Sequence, residues 1–521
     1  MIAKTRGGTL WRFLLAGVLI VGFAAGTTAV AGLLEVQNIV GDFNLTPALK
    51  DARVTLPPPG APQTLLLIGS DHRAGTSYKT SNTDTMMLVR VNDASSTINV
   101  LSVPRDLRVQ IPMGGVMTTQ KINAAYSIGG PNLLIKTIQQ QVFPGLQVNH
   151  IMDVNFRGFS DLIDAIGCVY AMVDRRYYNN TALTDYSSID IQPGYQRLCG
   201  DHQSPSGALA FVRYRHTDSD IVRNARQQDF IRWAKSQFST SQLLNERDKL
   251  LRIFGKNVQT DHSLHTTDGL INLFNLLINA NVHVIRSIPF PAAFTPCNPE
   301  CFVVPTSTQA ERVAWHKFIT PTVAKPAAKP AAKPAARPSG SRKPATGRSH
   351  GGQLTPPTGG LIADPADGKS QAAALAGQVH FPIYYPRMIV ASSSYCSTLT
   401  GNCDEPDEPA SAYAHSYPHA YLIRAQNTRY PAYVMTLVAN PVLGEYYDVE
   451  GTTWKHPPIL RSPTKTQVFG GLKLYEYYNG GKLSLVAVHI GPAAYWISNS
   501  LTDSIPASQM IGMAASLTRA G

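Results

Sequence analysis

Leu65-Leu66-Leu67-Ile68-Gly69-Ser70-Asp71 is a continuous apolar run that meets Gly, Ser and Asp. Such a run reads as a strand buried on both faces that ends at a site-forming loop. A polar loop follows, from His72 to Thr83. Asp84-Thr85-Met86-Met87-Leu88-Val89-Arg90-Val91 is then a second strand and Ile98 to Val103 a third. Asn92 to Ser96 supplies a tight turn between them, so this pair is expected as an antiparallel hairpin. Downstream the period lengthens. Pro131 to Phe143 reads as an amphipathic helix with Pro in its first turn. Ile151–Phe156 reads as a strand, Arg157–Ile166 as a helix and Cys168–Val173 as a strand. Ser206–Phe211 reads as a short helix and Arg223–Phe238 as a long one. Two further helices (Leu243–Val258, Asp268–Ile278) and a strand (Val282–Ile288) complete the series. Strands alternating with helices predict a layered α/β or α+β domain over 63–320, about 260 residues.

Outward from that domain, 521 residues exceed one ordinary domain, and two or three units are expected. Hydrophobic content of 44% and charged content of 15% suit globular units with buried cores. The net charge of +12 suggests nucleic acid until it is located. Lys4, Arg6 and Arg12 precede the first apolar run, and Lys325, Lys329, Lys333, Arg337, Arg342, Lys343 and Arg348 share one Pro/Ala tract. About +2 remains for everything else, so no nucleic-acid partner is expected.

Phe13 to Leu34 is an uncharged run of 22 residues, long enough to cross a bilayer as a helix. Its basic flank keeps residues 1–12 cytoplasmic and sends the remainder outside. A cleaved signal peptide is the alternative, with Ala29-Val30-Ala31 as its small-residue site. The length favours an uncleaved single-pass anchor, and both readings export the chain. A stalk follows over 35–62. Six cysteines agree with an oxidising compartment. Cys168 with Cys199, Cys297 with Cys301 and Cys396 with Cys403 is the simplest pairing, and zinc is the alternative.

From 321 to 377 Lys-Pro-Ala-Ala repeats give way to Gly, Ser, Thr and Pro, which predicts an extended linker. The last unit, 378–521, reads as a small α+β domain. Its expected strands are Ala420–Ala425, Ala432–Val438, Gly471–Tyr478 and Lys482–Ile490. Asn479-Gly480-Gly481 makes a hairpin turn, and Ile505–Leu517 reads as a closing helix.

Chemistry concentrates in Arg213-Tyr214-Arg215-His216-Thr217-Asp218-Ser219-Asp220-Ile221-Val222-Arg223-Asn224-Ala225-Arg226-Gln227-Gln228. Arg213 and Arg215 share a face if extended, and Arg223, Arg226 and Gln227 share a helix face. Guanidinium forks aimed at one place suit phosphate oxygens; ordinary ion pairs on a solvated helix edge are the bland alternative. Asp71 ends the first strand and Asp84 begins the second. Antiparallel pairing would bring these carboxylates together around one hard cation, Mg2+ with Mn2+ as a substitute. Arg73, Arg90 and Arg105 lie nearby in sequence. A pyrophosphate held by metal on one side and guanidinium groups on the other suits phosphoryl transfer. His-Glu-x-x-His and a Gly-rich loop with Lys and Ser/Thr do not occur. His216 is the histidine inside the cluster, a possible base or a neutral structural group.

The chain resembles the LytR-CpsA-Psr family of bacterial cell-wall enzymes. The matching residues are Leu65–Asp71 with Arg73, Asp84–Leu88, Ser102-Val103-Pro104-Arg105-Asp106, Lys121-Ile122-Asn123-Ala124-Ala125-Tyr126, Phe159–Gly167, Arg213-Tyr214-Arg215 and Arg226-Gln227-Gln228. The resemblance implies a central mixed sheet flanked by helices, with a lipid tail in an apolar groove. It implies a membrane-anchored phosphotransferase that moves a glycopolymer from a polyprenyl-pyrophosphate carrier to peptidoglycan. By position Asp71 and Asp84 would hold Mg2+ or its water shell. Arg105, Arg213 and Arg215 would grip pyrophosphate, and Asp220, Arg223 and Gln227 would complete the site. Asn82 stands where the family usually has Arg, which leaves Arg73, Lys79 or Arg90 to compensate. The linker and Tyr-rich C-terminal unit resemble those of actinobacterial members, for which arabinogalactan is the expected cargo. A membrane-anchored transcriptional attenuator and a non-catalytic wall-binding scaffold are the competing readings. The short cytoplasmic segment argues against the first.

Overall fold

The structure is a computed structural model that describes residues 49, 52–58, 61–70, 83–92, 97–179, 188–201, 204–238, 249, 253, 258–266, 284–297, 300–320, 355–406 and 408–521. The expected anchor Phe13–Leu34, the Lys/Pro/Ala repeats and nearly all of the two helices expected between 243 and 278 lie outside these residues. Among the described residues no helix is long and apolar enough to cross a membrane.

The fold is mixed α/β, built on β1 (Gln63–Ser70). β1 pairs antiparallel with β2 (Thr83–Asn92), which pairs antiparallel with β3 (Thr97–Ser102). A hairpin of β4 (Arg108–Met113) and β5 (Val116–Lys121) stands apart from this sheet. β6 (His150–Asn155) runs parallel to β1 on its other side. β7 (Val169–Val173) and β8 (Gly194–Leu198) form a separate antiparallel pair. β9 (Val258–Thr260) and β10 (Val284–Ser287) take the two edges of a six-stranded mixed sheet ordered β9-β6-β1-β2-β3-β10.

The apolar run of β1 is continuous because both faces are covered. Leu66 and Ile68 enter a core with Met86, Leu88, Leu101 and Val103. Leu65 enters the opposite core with Met87, Val91, Val100 and Met152. Helix α1 (Ala124–Thr137) covers the first face with Tyr126, Leu134 and Ile135. Its backbone breaks at Gly129 and Gly130, with φ +65° at Gly130, and Pro131 opens the second segment. The expected helix start at Pro131 is therefore the restart of a longer helix. α2 (Phe156–Ile166), α3 (Ala208–Arg213) and α4 (Asp220–Gln237) follow the expected order. Gln228 of α4 donates to Ser102 Oγ at 2.9 Å and ties the helix to the end of β3. α5 (Thr308–Ile319), which the sequence pattern did not single out, seals the first core with Ala314 and Phe318; Trp315 stacks on Phe143.

Past 355 the structure departs from the expected linker. A short strand, Leu361–Ala363, and α6 (Pro365–Leu375) bury Gly368, Gln371, Ala372 and Leu375. Asp364 caps this helix by accepting from Asp367 N, and Pro365 sits in its first turn, where a proline starts a helix. The unit that follows is mostly strands, not a small α+β layer. Its eight-stranded antiparallel sheet runs β11 (Ser394–Tyr395), β13 (Thr428–Asn440), β14 (Glu445–Thr452), β18 (Ala493–Ser498), β17 (Lys482–Ile490), β16 (Leu472–Asn479), β15 (Lys465–Phe469), with β12 (His419–Ala425) paired to β13. α7 (Ala507–Ala515) packs on it, and Leu517, expected to end that helix, instead begins a strand, Leu517–Arg519. The two units share a core in which Tyr195, Phe211, Tyr214 and Trp233 meet Leu460, Leu485 and Trp496.

All three expected disulfides form, Cys168–Cys199, Cys297–Cys301 and Cys396–Cys403, and no described cysteine is free. Gly200, next to the first of these, leaves no room for a side chain: an added Cβ would stand 1.8 Å from the Ser160 carbonyl oxygen. Gly200→Ala should push α2 from the 199–200 turn and lower stability by about 1–3 kcal/mol or more. A fall in the thermal midpoint checks this, and an unchanged midpoint would contradict the packing described.

Candidate functional site

The β1–β2 register pairs Gly69 with Thr85 and Ser70 with Thr83. It brings the start of β2 beside the end of β1, as a shared carboxylate site requires. Gly69 permits this approach, since an added Cβ would lie 3.1 Å from Thr85 Cβ. Asp71 and Arg73 lie outside the described residues. Asp84 is described: its side chain is 31% exposed and accepts from Arg105 Nη1. Arg105 arrives because Val103 N bonds Met86 O at 2.8 Å, which carries the chain past the top of β2.

α3 ends at Arg213, whose guanidinium lies 4.1 Å from the Phe156 ring centroid. A short loop then leads to Ser219, whose Oγ accepts from Val222 N and caps α4. Asp220 sits in the first turn, where a negative charge is favoured. Its buried Oδ1 lies 3.0 Å from Arg215 Nε, 3.0 Å from Arg223 Nη2 and 3.7 Å from Arg105 Nε. Arg223 Nη2 also donates to the Asp84 carbonyl at 2.8 Å. Asp106 takes Arg215 Nη2 at 2.7 Å and Lys121 Nζ at 3.2 Å. Burial raises the Asp106 carboxyl above its usual range, Asp220 adds to this, and Arg105 and Lys121 oppose it. Burial lowers the Arg223 value, with Asp220 opposing.

Arg105, Arg215, Arg223 and Lys121 thus converge on Asp84, Asp106 and Asp220. The ion pairs around Asp220 are close, yet neither carboxylate oxygen has an aligned hydrogen bond. Nε of Arg105 and Nε of Arg223 are also buried without a hydrogen-bond acceptor. Buried donors without acceptors are costly. An anion placed here would supply the missing oxygens.

Three expected ligands do other work. Arg226 is 0% exposed. It donates to the Tyr214 carbonyl at 2.7 Å and to Asp218 Oδ2, with its guanidinium over the Tyr177 ring. It binds the chain's own loop, not a substrate. Arg90 pairs in register with Thr64, at the far end of β1–β2, and donates to Thr64 Oγ1 at 2.9 Å. The length of the strand separates it from Asp84. Gln227 Nε2 donates to Thr85 Oγ1 at 2.8 Å and to Val212 O at 3.1 Å. It holds α4 against the start of β2, and its buried Oε1 has no partner. His216 Nε2 lies 3.7 Å from Glu408 Oε1.

Other functional residues were not singled out from the sequence. Asp106 and Lys121 fall inside the matching motifs, which were the available signal. Arg175, Asp218 and Glu405 carried no such signal. Glu405 reaches over from the C-terminal unit, where Oε1 accepts from Arg175, from Thr217 Oγ1 at 2.6 Å and from Tyr214 OH at 2.9 Å. Arg175 also donates to Asp218 Oδ1 at 3.1 Å. The loop between Arg213 and Asp220 is therefore gripped from both units.

Among the described residues no three acidic, His or Cys side chains are grouped to hold a metal. Mg2+ asks for less, one or two carboxylates plus phosphate oxygens. Asp84 fits that requirement, being partly exposed with Arg105 on one oxygen. The three carboxylates also nearly cancel the four cations, so a divalent ion would add the positive charge that a pyrophosphate needs.

The sequence model described as the LytR_cpsA_psr family matches residues 45–309. The polyisoprenyl-teichoic acid–peptidoglycan teichoic acid transferase TagU of Oceanobacillus iheyensis is 32% identical over 215 residues, 40% of this chain and 61% of the relative. The probable cell wall biosynthesis protein LcpB of Corynebacterium glutamicum is 30% identical over 229 residues, 42% of this chain and 49% of the relative. The chain thus spans about half to two thirds of these curated relatives. A solved structure of TagT bound to LIIa-WTA aligns at 21% identity with a TM-score of 0.38, covering 52% of this chain and 94% of that one.

Glu405 lies beyond the matched residues, and its contact has a pH signature. Burial alone would raise its carboxyl, but Arg175 and the Thr217 and Tyr214 hydroxyls outweigh burial and lower it. Its stabilisation is present above the unfolded glutamate value of about 4.3 and is lost as pH falls through the lower folded value. Glu405→Gln should lower the thermal midpoint at pH 7 and flatten its decline on acidification. Because it leaves Arg175 short of a buried partner, a loss of about 3–5 kcal/mol is expected.

Proposed function

The chain belongs to the LytR_cpsA_psr family, and on that premise we propose that it is an extracytoplasmic phosphotransferase. It would move a glycopolymer from a polyprenyl-pyrophosphate carrier to peptidoglycan. The observation that carries this reading is the seat itself: Arg105, Arg215 and Arg223 converge on Asp220 and Asp84 and leave two buried Nε donors without acceptors. The transferase activity named for TagU supports this class of reaction, and the cell wall biosynthesis role named for LcpB supports the wall setting. Arabinogalactan remains the cargo we favour for this chain.

Arg215 and Arg223 would bind phosphate oxygens in place of part of their contact with Asp220. Arg105 would hold the same group against Asp84, and Lys121 would keep Asp106 from repelling it. Guanidinium groups fixed by their own ion pairs lose little freedom on binding, so they favour a developing charge without reorganisation. Mg2+, on Asp84 and the expected Asp71, would neutralise charge on the pyrophosphate. A lipid carrier is supported by the β4–β5 hairpin. Lys121 at its base touches Asp106, while Met113, Val116 and Met117 at its tip are exposed.

The test is release of phosphate or transfer of glycan from a short polyprenyl-pyrophosphate glycan by the full chain. Arg215→Ala should lower the rate about 100-fold or more, with a smaller fall in melting temperature than Arg226→Ala, because Arg215 is partly exposed and Asp220 keeps Arg223 and Arg105. Arg226→Ala should lower the melting temperature, since it leaves buried Asp218 with Arg175 alone and opens a cavity beneath the Tyr177 ring. Chelation of divalent ions should abolish turnover, and Mg2+ should restore it. Turnover unchanged in Arg215→Ala would overturn the site assignment.

A further inference from the structure

The matched family residues end at 309, and α4, which lies within them, runs into contact with the C-terminal sheet beyond them. Between them lies a cavity of about 340 Å3, at the small end of the range for small-molecule sites. One wall is the second half of α4, with Asp229, Arg232 and Trp233, beside Met172 of β7. The other is the 458–464 segment, Tyr477 and the 498–503 turn. Arg223 and Trp233 are ten residues apart on one helix, about 15 Å along its axis.

The lining has a definite chemical character. Trp233 and Tyr477 offer apolar ring surface. Asp229 sits 2.8 Å from Arg232 Nη1, and that buried nitrogen lacks an aligned hydrogen bond. Asp503 accepts from Asn479 Nδ2 at 3.1 Å. Asp174 and Asp448 contribute two further buried carboxylates. Arg461, Ser462 and Thr464 form an exposed rim. Burial pushes all four carboxyls up, Asp229 to about 7, and Arg232 is paired with Asp229, so the lining offers hydroxyl partners rather than an unopposed cationic seat for phosphate. The density of hydroxyl, amide and charged groups is wrong for a lipid tail. Aromatic faces combined with carboxylate acceptors and hydroxyl donors match a ring with C–H faces and a hydroxyl edge.

We infer that this cavity is a binding site for an uncharged saccharide unit, so that the C-terminal sheet and α4 together read glycan beside the phosphate site. The saccharide's hydroxyls donate to Asp229 and Asp503, its ring lies against Trp233, and Arg461 closes the mouth. This site is separate from the arginine seat and does not need the transfer reaction to be correct.

Calorimetric titration of the full chain in detergent tests it, with chitotriose, galacto-oligosaccharide and arabino-oligosaccharide as neutral probes and glycerol 3-phosphate as the anionic one. At least one neutral probe should bind, and glycerol 3-phosphate should not compete. Asp503→Asn, which preserves shape, should weaken binding at least tenfold. Arg461→Ala on the exposed rim should weaken it several-fold, and it carries the test should Asp503→Asn fail to fold. Absence of binding by all three neutral probes to the folded chain would overturn the inference. Competition by the anion, or affinity unchanged in the folded variants, would do the same. No pyrophosphate is present, so such a failure leaves the proposed transfer reaction standing.

Discussion

The ion chain Glu405–Arg175–Asp218–Arg226 is the constraint on which the rest of the arrangement depends. All four side chains are almost fully removed from water. Burying such charges is costly, and only close mutual pairing offsets it. Removing any one member would leave its neighbour charged and unsolvated. The chain therefore fixes the path of residues 214–218, and that path brings Arg215 to Asp220. Specificity of geometry is the gain; net stability from the charges themselves is expected to be modest.

The candidate site illustrates the same physics at lower burial. Asp220 holds arginines from three places in the chain, after β3, in the loop after α3 and within α4. None of these pairs is well aligned. A carboxylate that is near its cations but poorly bonded to them keeps their charge in place and leaves donors available. An incoming phosphate would then exchange imperfect contacts for better ones, which is how preorganisation lowers the cost of binding a charged group.

Much of the sheet was legible because burial on both faces forces long apolar runs. The first three strands were expected to within two residues, and the hairpin turn fixed their direction. The two inner strands β14 and β18 were not expected. β14 carries Asp448, Glu450 and Gly451, which break its apolar pattern. Those carboxylates are tolerated because Thr436 donates to Asp448 and Tyr421 to Glu450, contacts made by other strands. α6 was hidden by its proline, which starts that helix where composition suggested a spacer. In the site, residue type alone pointed to arginine and aspartate chemistry. It did not separate Arg223, which faces Asp84, from Arg226, which faces Tyr214 and Tyr177. That distinction depends on where α3 packs. Glu405 was beyond reach for the same reason: its partners are about 190 to 230 residues distant.

The shared core around Tyr195 and Trp496 has a consequence for how the molecule comes apart. Two units joined by a tether would ordinarily melt independently, each at its own temperature. Here separating them would uncover Trp496, a fully enclosed side chain, and would strand Arg175 without Glu405. Residues 63–319 and 355–521 should therefore lose structure together, in one sharp calorimetric transition. Their covalent connection then matters for local concentration, while noncovalent contact sets their orientation.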